Sequence, residues 1–435
     1  MCLKLLIFAA LLLVSEARLQ AQSLSDPILP GEIPLFATQE GGIRENSFSL
    51  GLRTSVDFDD DALGTARSKQ SDLLTIVEPH VGWNVSRPAA KWAIDYRPGF
   101  SNSRVLGTYN LPSEFLNGSL ELAVTKRLRL RAHETFLRTN NAFDQLQTSQ
   151  LISTSGAANL LNSNIITTAR MNNEQAGMDL AYSLGPRSMV GLNGTFYNVS
   201  YTSSSDAREL GAARAASANT FYSYRLTRHN SIGVDWNVQE LVSRDPHSRS
   251  LVERVLYTQA MLLTASNKLT FFLGPEHSAF RTDSGSSLSE TISALSRQKE
   301  WSWTGGANYV CSRKSTTLLL GWNRRISDGA ALEGIVRLSS TSAEVRQVLT
   351  RRWKINALAS EDHAQGLAVR TEPLSYVSVA FGATRAITPR LSLDVRYWHA
   401  HATTSNPVAA NLANHNRLSA SLIYNFTAPV SRQHR

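Results

Sequence analysis

The sequence predicts an all-β protein: a transmembrane antiparallel up-and-down β-barrel of about 18 strands, with 16 as the alternative count. Three observations predict it. Apolar and polar residues alternate with period two over long runs, which gives each strand one greasy face and one polar face. Tight turns and looser loops strictly alternate between those runs, as hairpins crossing a bilayer require. After the N-terminal stretch, no segment of the 435 residues approaches 18 continuous apolar positions, so any membrane crossing falls to strands. The mean hydropathy of −0.20 agrees, because only every second residue of such a strand must be apolar.

Met1–Gln22 reads as a secretory signal. Lys4 supplies the positive start, Leu5–Val14 the apolar core, and Leu19-Gln20-Ala21 the cleavage site. Cys2 leaves with that segment, and Cys311 then has no partner for a disulfide. Residues 23–45 are polar and rich in Pro and Gly, and are expected to form a short periplasmic leader. A single barrel domain is expected over 46–427, with a tail at 428–435.

The first strand, 46–58, sets Phe48, Leu50, Leu52, Val56 and Phe58 against Ser49, Arg53, Ser55 and Asp57. The second, 72–86, sets Leu73, Val77, Val81 and Trp83 against Glu78, His80 and Asn84. Ser86-Arg87-Pro88 turns the chain into the third, 90–101, with Trp92, Ile94, Tyr96 and Phe100 opposite Lys91, Asp95 and Arg97. A turn phrase then recurs, an apolar residue followed by Ser, Thr or Gly and a basic residue. It stands at Val124-Thr125-Lys126-Arg127, Leu184-Gly185-Pro186-Arg187, Leu226-Thr227-Arg228, Ala265-Ser266-Asn267-Lys268, Cys311-Ser312-Arg313-Lys314, Leu349-Thr350-Arg351-Arg352 and Ile387-Thr388-Pro389-Arg390. A spacing near 40 residues also suits propeller blades, but each period holds two long runs and not four short ones. The remaining strands are placed at 115–125, 128–139, 170–184, 188–203, 216–226, 230–242, 250–264, 268–281, 298–311, 315–326, 331–348, 352–362, 373–386, 390–402 and 415–427. The last three have the cleanest pattern: Leu391, Leu393, Val395 and Tyr397 alternate with Ser392, Asp394, Arg396 and Trp398, and Leu418, Leu422 and Tyr424 with Arg417, Ser419 and Ser421.

All eight Trp fall inside predicted strands. Trp83, Trp92 and Trp353 sit beside short turns, and Trp301, Trp303, Trp322 and Trp398 toward the loop ends. Two such groups suit two interfacial girdles, where an amphipathic ring rests between headgroup and acyl chain.

This pattern resembles that of the bacterial outer-membrane β-barrel proteins, over the signal and nearly everything from Glu45 to Phe426. The closing Tyr424-x-Phe426 is similar to the C-terminal signal read by the barrel-assembly machinery, although nine residues follow it. The phrases Leu226-Thr227-Arg228 and Ile387-Thr388-Pro389-Arg390-Leu391 resemble those of large, porin-like, uncharacterised barrels, some linked to polysaccharide export. The resemblance implies residence in the cell outer membrane with both termini periplasmic, contact with outer-membrane lipid and lipopolysaccharide, and insertion by the assembly machinery. In general porins the loop after the fifth strand folds into the lumen. The matching stretch here is about 139–169, which makes Asn141, Phe143 and Asp144 constriction-loop candidates; a solvated outer loop is the other reading.

No catalytic or cofactor motif stands out. The ten His are dispersed, with His399 and His401 on an outward parity and His363 at the start of a loop, and none lies in a Ser/His phrase. The chain is expected to be neither an enzyme nor a metal carrier. Asp57-x-Asp59-Asp60-Asp61 reads as a solvated acidic loop tip in preference to a Ca²⁺ loop. Lys and Arg are scattered despite a net charge of +9, so nucleic acid is not an expected partner.

Strand parity places Arg53, Asp57, Glu78, Lys91, Asp95, Arg97, Arg129, Arg131, Asp235, Asp394, Arg396 and Arg417 on the inner wall. A closed barrel of 16–18 strands without a plug leaves an aqueous channel. The expectation is a water-filled passive diffusion pore for small hydrophilic solutes, mildly anion-preferring because basic residues outnumber acids. The alternative is that these charges pair and fill the interior. The barrel would then be a non-conducting structural or accessory one, linked to polysaccharide export or binding partners through its outer loops.

Overall fold

A computed structural model describes residues 46–60, 71–104, 112–139, 170–202, 212–244, 247–282, 298–327, 335–367, 373–403 and 415–429. Eighteen strands make up the fold. β1 is Ser47–Asp59, β2 Asp72–Ser86, β3 Ala90–Ser103, β4 Pro112–Ala123, β5 Leu128–Thr139 and β6 Arg170–Ser183. β7 is Ser188–Thr202, β8 Ala213–Arg225, β9 Asn230–Arg244, β10 His247–Thr264, β11 Asn267–Thr282 and β12 Gln298–Arg313. β13 is Thr316–Ser327, β14 Val336–Val348, β15 Trp353–Gly366, β16 Leu374–Ala386, β17 Leu391–Thr403 and β18 His415–Pro429. Every predicted strand is present. β15 runs four residues further than expected and takes His363 out of a loop. β9 and β10 are separated by residues 245 and 246 alone, because their pairing continues to His247↔Arg244. The candidates Asn141, Phe143 and Asp144 lie outside the described residues.

The sheet closes. Each strand pairs antiparallel with its sequence neighbours, and β1 pairs with β18 from Ser47↔Pro429 to Asp59↔Arg417. Closure leaves no sheet edge with unpaired backbone groups, which is the condition for a sheet to sit in hydrocarbon. Burial alternates with the sequence pattern. In β1, Leu50, Leu52, Val56 and Phe58 are exposed, while Ser55, Asp57 and Asp59 are almost fully buried. Exposed large apolar side chains recur on all strands except β4 and β5 among the described residues. So much apolar surface on an outside is a lipid-facing surface.

The turn phrase has a physical basis. At four short turns a threonine hydroxyl accepts hydrogen bonds from backbone N–H groups two or three residues on. Thr125 takes Arg127 at 3.1 Å and Leu128 at 2.9 Å, Thr227 takes His229, Thr350 takes Arg352 and Trp353, and Thr388 takes Arg390 and Leu391. The side chain satisfies donors that the ladder abandons at the turn. The β12–β13 hairpin is tighter, with Lys314-Ser315 as its whole loop. Lys314 is the one non-glycine residue among those described with positive φ, at 26°. Two-residue hairpins favour glycine at such positions, so Lys314→Gly is expected to stabilise the barrel by about 0.5–1 kcal/mol. A rise in the urea midpoint of vesicle-embedded protein checks this; an unchanged or lowered midpoint contradicts it.

Besides a bulge between Leu262 and Thr264 of β10, the ladder is interrupted at three places among the described residues. Between β2 and β3, pairing stops at Val77↔Phe100 and resumes at Val81↔Tyr96; Pro79 and Pro98, which cannot donate, share that gap. Between β10 and β11 it lapses from Arg254↔Glu276 to Tyr257↔Leu273, at Gly274-Pro275. Between β12 and β13 it ends at Gly305↔Arg324, with the Thr304 hydroxyl bonded to the Arg324 carbonyl at 2.6 Å.

Candidate functional site: the inner wall of the barrel

The inner face is built from ion pairs, some between neighbouring strands and some between residues two apart on one strand. Arg53 reaches Glu78 at 2.8 Å and Ser421 at 3.3 Å. Asp95 is held by Arg97 at 2.6 Å and by His80 at 3.2 Å. Arg396 lies 2.5 Å from Asp394, which also accepts from Thr384. Arg131 lies 3.8 Å from Glu121. Register places Arg129 opposite Ala123 and Lys91 opposite Glu121, on the same face. The guanidinium groups of Arg53, Arg97, Arg131 and Arg396 thus each face a carboxylate at short range, where Coulomb attraction is least screened.

A second cluster lies on the β1–β18 seam. Arg417 contacts Asp59 at 2.5 Å, and the Ser419 hydroxyl donates to Asp57. Asp57 and Asp59 are therefore buried members of β1, and Asp59, expected at a solvated loop tip, is corrected to the end of the strand. Closure explains it, since β18 supplies partners that a local reading omits. Asp59, Asp60 and His415 bring three ligand atoms within 4.8 Å of one another. Arg417 already occupies Asp59, and the Asn416 backbone N–H and amide already occupy Asp60 at 2.7 and 2.6 Å.

The deepest pair is Arg254 with Glu276, 2.6 Å apart and with side chains 0% and 1% exposed. Arg254 also donates to Asn237 at 3.2 Å and Gln239 at 2.7 Å, and Ser302 donates to Glu276 at 3.0 Å. The sequence reading missed this group. The signal was available, because Arg254 and Glu276 share the parity of buried Leu256 and Ser278. Asp235, which that reading did single out, is buried in β9 opposite Phe221 and Leu256.

Toward the loop ends the inner face turns apolar. Tyr197, Val199, Ala213, Ala215, Leu241 and Val252 form one buried cluster, and Leu338, Leu374, Tyr376 and Trp398 belong to another. Trp398 departs from the expected girdle. It is 1% exposed and stacked near His415, 6.3 Å between rings, because it shares the inward parity of Asp394 and Arg396. The other candidates lie on the outer face. Trp83 and Trp92 pair edge-on at 5.0 Å, Trp303 and Trp322 lie 5.9 Å apart, Trp353 carries Arg385 at 5.4 Å, and Trp301 is 72% exposed.

A closed antiparallel sheet of 18 strands, oily outside and charged within, defines the fold as a transmembrane β-barrel. Among solved structures, it is similar to Pseudomonas aeruginosa outer membrane protein OpdK, at 11% identity and a TM-score of 0.44, covering 88% of this chain and 99% of that one. It is also similar to P. aeruginosa OccK2 (OpdF) in complex with glucuronate, at 11% and 0.45 over 88% and 98%, and to Acinetobacter baumannii OccAB4, at 9% and 0.46 over 89% and 100%. No protein-family model matches the sequence, and no curated protein does.

Proposed function

We propose that this barrel is a passive diffusion pore for small hydrophilic solutes, with both termini on the periplasmic side. The observation that supports the reading is a charged, polar inner face on a closed sheet too large to be filled by its own side chains. The wall set named from the sequence, Arg53 to Arg417, holds seven basic and five acidic residues. That surplus favours anions, but ion pairs such as Arg53–Glu78 across strands and Arg396–Asp394 along one strand cancel most of the field. The preference is therefore mild. The outward Trp groups serve as girdles, and lipid and lipopolysaccharide are the outer partners.

In planar bilayers, the folded protein is expected to give discrete conductance steps, with a small reversal potential toward anion selectivity in a KCl gradient. Silence from correctly folded barrel would overturn the pore and favour a structural or accessory role through the outer loops. The buried apolar layer of Leu241 and Val252 at the loop end is what that second reading draws on.

A further inference from the structure

On β6–β12 one row of inward side chains follows the hydrogen-bond register without a break: Asp179, Asn193, Asn219, Asn237, Arg254, Glu276 and Ser302 stand directly opposite one another on successive strands. The middle of this row is amide. Asn193, Asn219 and Asn237 are all more than nine-tenths buried, as is Gln239 beside them. Several of their polar atoms have no hydrogen-bond partner among the described residues. They are the acceptors Oδ1 of Asn193 and Oδ1 of Asn219, and the donors Nε2 of Gln239 and Nη2 of Arg254. A buried polar group left unpaired costs about 1–3 kcal/mol, and three such atoms in the row with a fourth beside it form a standing demand for a ligand that both gives and takes hydrogen bonds.

We propose that this row is a binding track for neutral polyhydroxylated solutes, saccharides in particular, and it rests on the pore reading for access. Hydrogen-bonding pattern, spacing, charge pairing and an aromatic ring select that chemistry. A hydroxyl is donor and acceptor at once, and so matches the free amide oxygens of Asn193 and Asn219 together with the free N–H groups of Arg254 and Gln239. Neighbouring strands are about 4.8 Å apart, so the three asparagines repeat at about the length of a hexose ring. The only full charges in the middle of the row, Arg254 and Glu276, are spent on each other at 2.6 Å. Phe221 lies one row below and fills the space a Gly191 side chain would take, its Cζ 2.3 Å from the position of a Gly191 Cβ. The ring is thereby laid along the wall, where the apolar face of a sugar ring can stack.

The test is calorimetric titration of detergent-folded protein with maltotriose, sucrose and sodium acetate, which needs no conduction. Saccharide binding is expected, with acetate giving no heat. Asn193→Ala/Asn219→Ala is expected to bind about tenfold more weakly, the loss of one or two neutral hydrogen bonds. Phe221→Leu, which keeps an apolar side chain, should weaken it as well and serves if the double variant does not fold, as judged by heat-modifiable migration. Absence of saccharide binding, saccharide binding unmoved by whichever variants fold, or acetate binding as well as sugar overturns the proposal. Conductance steps without saccharide binding would sink the track alone. Binding by a silent barrel would sink the pore and leave the track standing.

Discussion

Glu276→Ala is expected to cost the folded barrel about 3–5 kcal/mol, the loss seen when one partner of a buried ion pair is removed. Arg254 would be left with its guanidinium fully buried and with only the Asn237 and Gln239 oxygens to face it. Amide dipoles offset part of a full charge but cannot replace a carboxylate at 2.6 Å. The measurement is urea unfolding of vesicle-embedded protein followed by tryptophan fluorescence. The discriminating partner is Arg254→Met/Glu276→Leu, which removes both charges and is expected to be near neutral or stabilising. Equal losses in the single and the double variant would show that volume, not charge, governs this site.

Gly274→Ala is expected to be at least as damaging. A Cβ there would lie 1.8 Å from the Val255 carbonyl oxygen and 2.8 Å from its carbon. Both are backbone atoms of the adjoining strand, so no rotamer change can relieve the clash. The cost should exceed the ~1–3 kcal/mol typical of overpacked side chains, and the barrel should lose its heat-modifiable band. Gly194→Ala is the control: its Cβ would meet nothing nearer than the Ser217 carbonyl oxygen at 3.9 Å, and it should fold normally. Normal folding of both variants would refute the account of this interruption. Pro275 explains why the space is so tight. It cannot donate to β10, the two rungs are lost, and the strands close on the glycine instead.

The two groups singled out here differ in how visible they were. Period-two alternation is a property of each strand alone, so Leu393, Val395 and Tyr397 could be sided without any partner, and Arg53 or Asp394 with them. Trp398 shows the same rule prevailing over residue type. Its parity with Asp394 put it inside, although a tryptophan at a loop end suggested a girdle. Asp59 was misjudged for the opposite reason. Its partner, Arg417, comes from the far end of the chain, and a loop-tip reading considered only neighbours. The amide row was invisible in sequence because Asn193, Asn219 and Asn237 are separated by long hairpins and meet only through register.

By itself the sequence determined the all-β class, the strands, their inward and outward faces, and the interleaving of turns with loops. These follow from local steric and hydrophobic rules acting over a few residues. The tertiary structure alone decided which strands meet at which register, and hence the β1–β18 seam, the Arg254–Glu276 pair, the breaks at Pro79/Pro98 and Gly274-Pro275, and the amide row. Each of these is a contact between strands, and the energy that selects it arises only when the sheet has closed.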